Sequence, residues 1–166
     1  MTLEGLRPLA LLGGLNAADL WPTINLCLVS WLLFVFAPRW KHTPTVSLIA
    51  PLFHAALYSL SATSMMFFGD DANASEIDFG SLEGIVTLFK DPNGVFVGWV
   101  HYVVYDALVG RWITMDSVER GAGTALHALV IVPVLFLALM FGPSGWLLYM
   151  AVVRPFLLPV AKAKSS

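Results

Sequence analysis

The residues best placed to do chemistry sit where charge is least welcome. Between Gly98 and Trp112 the sequence reads GWVHYVVYDALVGRW, an apolar run that contains Asp106 and Arg111. An aspartate at the centre of a membrane span costs about 2.5 to 3.5 kcal/mol on insertion scales, so such a residue normally faces a bundle interior or a cavity. On a helix, Trp99, Tyr102 and Asp106 fall at i, i+3 and i+7 and share a face, while His101 and Tyr105 at i and i+4 line a neighbouring strip. A polar wedge of Tyr, Asp and His is therefore expected to point inward. His54, in another apolar run, could reach the same interior. A buried carboxyl beside an imidazole suits general acid–base work. The competing reading makes Asp106 a packing and orientation device, held neutral or paired with Arg111 or Tyr102, and His54 a hydrogen-bonded core histidine.

Other chemistries find little footing. The four histidines are scattered, with no HxxxH or HxxE spacing, so no metal site is expected. His42 and His127 fall at span ends, where interfacial histidines are ordinary. Cys27 is the only cysteine, which excludes an intramolecular disulfide and a thiolate cluster. There is no GxSxG, no P-loop and no GxGxxG after a strand. A net charge of −2 without a basic stripe offers nothing to neutralise phosphates, so no nucleic-acid partner is expected.

The elements that must hold these residues follow from composition. Of 166 residues, 58% are apolar and 12% charged, against roughly 25% charged in an ordinary globular protein, and the mean hydropathy is +0.77. The solvent is then lipid, and the fold expected is all-α: a single integral membrane domain over residues 1–166, a polytopic bundle with about four transmembrane helices. The spans fall at about 20–37, 45–69, 94–115 and 124–141. Asn16 or Asp19 would cap the first, and the residues before it form an interfacial lead-in too short for a secretory signal. Between the second and third lie an acidic loop, Asp70–Asp78, then a short amphipathic helix over Phe79–Phe89 and a turn at Asp91–Gly94. From Gly121 to Val153 there are 33 residues without Asp, Glu, Lys or Arg, too long for one crossing. The Gly142-Pro143-Ser144-Gly145 break should end the fourth span and start a short re-entrant or interfacial helix over 145–154. If that helix returns, the basic tail joins Arg39, Lys41 and Arg120 on one side, opposite the acidic loop. Trp21, Trp40, Trp112 and Trp146 lie near span ends, as interfacial belts require; a pigment- or sterol-stacking role is the alternative.

Three features give the chain a resemblance to a known family. They are NAADLWP from Asn16 to Pro22, the pattern W-V-H-Y-x-x-x-D-x-x-x-G-R-W from Trp99 to Trp112, and F-G-P-S-G-W-L-L-Y from Phe141 to Tyr149 with Arg154 after it. Together they resemble the abscisic-acid-deficient-four-like family of four-span membrane proteins. In that family the plant members are required to make neoxanthin from violaxanthin in plastids, a conversion of a carotenoid 5,6-epoxide to an allenic alcohol. The resemblance implies a redox-neutral isomerisation that requires no cofactor, with bound carotenoid or chlorophyll compatible with it. Asp106 would be the acid or base and His101 or His54 its counterpart. Tyr102 or Tyr105 would orient the oxygen, with Trp99, Asn25 and Arg111 as further substrate-side candidates and Arg111 better suited to anchoring the span end. The alternative is a non-catalytic pigment- or lipid-binding subunit of a larger photosynthetic assembly, and a small transporter ranks last. The partners expected are the bilayer, a lipophilic ligand and other membrane proteins. The location would be a plastid membrane in a phototrophic eukaryote, otherwise a bacterial inner membrane.

Overall fold

The computed structural model describes residues 6–68 and 78–158, all of whose regular elements are helical. Most of the expected acidic loop and the basic residues Lys162 and Lys164 lie outside the described residues. Three helices are long and apolar enough to cross a membrane: Ala17–Phe36, Thr43–Phe67 and Thr124–Phe141. They lie close to the three most apolar runs of the sequence. A fourth long helix, Pro92–Glu119, carries the Asp106 segment and starts earlier than expected. The reason is local: the Asp91 carboxylate accepts the backbone N–H of Asn93 at 2.8 Å, and Pro92 takes the first helical position, where no N–H is needed. The expected turn is thus a helix start.

The chain divides into two compact units, one of residues 1–25 and 52–103, the other of 26–51 and 104–166. In the first unit Asn16 caps the opening helix. Its side chain accepts from the N–H groups of Ala18 and Asp19 while Asp19 accepts from the N–H of Asn16, a reciprocal capping box. Pro22 follows, and the chain tightens into a 3-10 stretch over Trp21–Leu26. Residues 6–15 are fastened to the rest of this unit. Leu9 is buried, the N–H of Leu11 donates to Ser64 Oγ at 2.8 Å, Asn93 donates to the Arg7 carbonyl at 3.1 Å, and Arg7 pairs with Asp91. The short amphipathic helix is present as Leu82–Leu88, with Ser81 as N-cap. Two glycines let it come close to the 92–119 helix. A Cβ on Gly94 would lie 2.2 Å from the Leu88 carbonyl oxygen, and one on Gly98 would lie 2.6 Å from the Phe89 ring. Gly94 and Gly98 form the small-xxx-small spacing that permits such approach in lipid, where packing rather than water expulsion must hold helices together.

The second unit is built by the same means. The Trp31 ring sits over Gly110, where a Cβ would be 2.7 Å away, with the fully buried Phe34 beside it. Thr114 and Ser117 are buried on the same helix and return their hydroxyls to the carbonyls of Gly110 and Thr114, both at 2.8 Å, so neither of these two hydroxyl hydrogens is left unpaired. Arg111 donates through Nε and Nη2 to the Pro44 carbonyl at 3.1 and 2.8 Å. The Gly142 break is where the sequence puts it. The helix ends at Phe141, Gly142 has φ +29°, and a new helical segment runs over residues 143–156, longer than the expected 145–154. It folds back on its predecessor, with Gly145 so close that a Cβ would be 2.3 Å from the Ala138 nitrogen. π-helical turns interrupt both arms, at His127–Ile131 and Tyr149–Val153.

Candidate functional site

Within the first unit, the helix from Ile49, the Leu82–Leu88 segment and the helix from Pro92 enclose a groove of about 220 Å³. Its walls are apolar, chiefly Met65, Met66, Ile85, Leu88 and Phe89. Polarity enters through Tyr58, His101 and Tyr102. The ring centroids of Tyr58 and His101 are 5.4 Å apart, and those of His101 and Tyr102 6.2 Å. An imidazole between two phenols can accept a proton at one atom and supply one at another, and the apolar wall beside it favours an uncharged, lipid-soluble ligand.

The expected inward wedge is not what the structure holds. Tyr102 and Tyr105 expose 59% and 58% of their surface, Trp99 is half exposed and stacks on Trp21 at 6.1 Å, and His101 is exposed. The buried face carries Phe96, Val100, Val104, Ala107 and Ile113 instead. In lipid these Trp, Tyr and His side chains gain little by turning inward, whereas Val100, Val104 and Ala107 can pack closely against their neighbours. Polarity in the sequence therefore did not mark the inner face.

The other expected residues are dispersed. His54 is fully buried in the first unit, with Nε2 3.1 Å from the Thr23 carbonyl, and does not line the groove. Asn25 is exposed, and its amide donates to the Pro22 carbonyl at 3.3 Å. Asp106 belongs to the second unit, where its carboxyl lies against Gly142. It does not pair with Arg111, which is committed to Pro44. His127, expected at an interface, is buried, with Nε2 3.2 Å from the Val35 carbonyl.

One cluster in the second unit has no counterpart in the expectations. Tyr149, fully buried, donates its hydroxyl to Asp116 Oδ2 at 2.7 Å. Arg154 grips the same carboxylate with Nε to Oδ2 at 3.0 Å and Nη2 to Oδ1 at 3.2 Å, and Arg120 adds Nε at 3.0 Å. Trp112 meets the Tyr149 ring edge-on at 5.6 Å and carries the Arg154 guanidinium 5.9 Å from its centroid. Burial raises the Asp116 pKa, but the hydrogen bonds from Arg154, Tyr149 and Arg120 outweigh it and hold the carboxyl below its ordinary value. Only the Asp116/Arg120 spacing of i, i+4 signalled this in the sequence. The cluster closes the C-terminal hairpin and reads as structural.

A family model described as ABA DEFICIENT 4-like matches residues 20–149. The chain belongs to that family. No curated protein and no solved structure matches it. The ABA DEFICIENT 4-like region takes in the whole Trp99–Trp112 pattern and ends on Tyr149, the phenol that Asp116 holds. It includes every groove-lining residue as well.

Proposed function

We propose that the chain is a four-span integral membrane protein of carotenoid metabolism, and that the groove of its first unit binds the oxygenated end of a xanthophyll 5,6-epoxide and isomerises it to the allenic alcohol. Family membership supports the pathway, and the groove supports the chemistry. The observation that carries the reading is an apolar cleft whose polar groups are one imidazole flanked by two phenols. The fourth span would be the 94–115 stretch of the 92–119 helix, which at about 1.5 Å per residue covers the roughly 30 Å of hydrocarbon and leaves Asp116 outside it.

The isomerisation balances without an oxidant or reductant. The hydrogen on the polyene carbon next to the epoxide leaves as a proton, and its bonding pair becomes the second double bond of the allene. The adjacent C–O bond breaks, its electrons go to oxygen, and oxygen takes up a proton to become the alcohol. His101 would accept the carbon-bound proton, and Tyr58 or Tyr102 would donate to the oxygen. Asp106, His54, Tyr105, Trp99 and Arg111 do not line the groove and have no part in this step.

The test is pigment analysis of the purified protein in liposomes with violaxanthin, beside the His101→Gln variant. Conversion to neoxanthin that is lost in the variant supports the isomerase. Retained pigment without conversion in either protein would support the binding-subunit reading, which the outward-facing Trp21–Trp99 stack also favours. In a phototrophic eukaryote the membrane would be that of a plastid, otherwise the bacterial inner membrane.

A further inference from the structure

We infer that the groove recognises one end ring of its ligand and nothing beyond it, the rest of the ligand lying outside in lipid. This rests on the reading of the groove as a carotenoid site. Size is the first reason. At about 220 Å³ the cleft is smaller than the roughly 300–1,000 Å³ typical of sites that enclose a whole drug-sized molecule, and a carotenoid is larger still.

The depth of the cleft is also fixed by construction. The Leu88 carbonyl and the Phe89 ring rest on Gly94 and Gly98 at distances that admit no side chain, so the Leu82–Leu88 segment cannot settle deeper or shift along the helix without losing that fit. Recognition is one-ended too. Tyr58, His101 and Tyr102 supply hydrogen bonds from neighbouring positions, and the remaining walls are apolar side chains and glycine. An oxygenated ring finds partners here; a second ring at the far end of a polyene finds none.

The test compares retention, by the purified wild-type protein in detergent, of a full-length carotenoid 5,6-epoxide and of a truncated epoxide with the same hydroxylated ring and a short unsaturated side chain. Affinities within about threefold of each other, both falling about tenfold or more in His101→Gln, are expected. A full-length ligand that binds more than about tenfold tighter than the truncated one would overturn the inference and leave the groove a carotenoid site. Binding of neither would overturn both readings. Phe89→Leu supplies a second check. Shrinking the ring at the floor should let chain atoms enter, so that a preference for the longer ligand emerges; unchanged preference would count against the fixed depth.

Discussion

The carboxyl of Asp106 occupies the space that a side chain at Gly142 would need. A Cβ built on Gly142 would lie 2.6 Å from Asp106 Oδ1, and the glycine has φ +29°, in the region that L side chains rarely enter. The helix break and the mid-helix aspartate are therefore one feature.

Gly142→Ala should be destabilising by about 1–3 kcal/mol from backbone strain alone, with the clash adding to it. The clash part should vanish when Asp106 is shortened. Thermal unfolding in detergent of Gly142→Ala, Asp106→Ala and the double variant would show it: the double should be clearly less damaged than the sum of the singles. Simple additivity would mean that the two residues do not share this space in the folded protein.

Asp106→Asn keeps shape and volume. It should leave stability within about 0.5 kcal/mol and leave isomerisation intact, because Asp106 does not line the groove. His101→Gln should do the reverse, abolishing turnover in a protein that unfolds at nearly the same temperature. Loss of turnover in Asp106→Asn without loss of stability would return the aspartate to the reaction.

Asp116 makes a pH-dependent contribution. Its pKa is lowered on folding, so the stabilisation is fully present above the ordinary carboxylate pKa near 4 and is lost as pH falls through the lower folded value. Asp116→Asn should cost about 2 kcal/mol near neutral pH, where hydrogen bonds from two guanidinium groups and the buried Tyr149 hydroxyl are weakened. The gap between wild type and variant in denaturant melts should close below about pH 4. A gap that is constant down to pH 3 would mean that the carboxylate charge is not what the cluster uses.

Much of the fold was legible because apolar run length speaks directly to span length: three runs gave the three membrane-competent helices, and Gly142-Pro143 gave the break. Local chemistry was legible too, as Asn16 with Asp19 and the Leu82–Leu88 amphipathic helix show. Long-range polar contacts were not. Asp116 and Arg154 are 38 residues apart, and no local spacing announces that one folds back to the other. The candidate site was half legible. His101 and Tyr102 stand out by type, whereas Tyr58, Met65 and Met66 look like any residues of an apolar helix until the Leu82–Leu88 segment closes over them. The inner face was misread because in lipid the residues that turn inward are those that pack closely, and Gly110 beneath Trp31 has no polarity to reveal it.

The hairpin of the second unit sets where the chain ends must appear. Arg39 donates to the Ala122 carbonyl, so the segment after Phe36 lies at the start of the 124–141 helix. Arg154 and Arg120 share Asp116, which brings the end of the 143–156 segment back to that same level. Gly145 packed on Ala138 shows that the two arms run side by side rather than end to end. Lys41 and Leu157 should therefore face the same side of the membrane. With Cys27 first replaced by serine, single cysteines at Lys41 and at Leu157 should react with an impermeant maleimide in the same vesicle orientation. Labelling from opposite sides would mean that residues 143–156 stay on the far side of the membrane rather than return along the 124–141 helix. In that case the Asp116–Arg154 pair could not form, and Arg154→Gln should leave stability unchanged where the hairpin predicts a loss of about 1–2 kcal/mol.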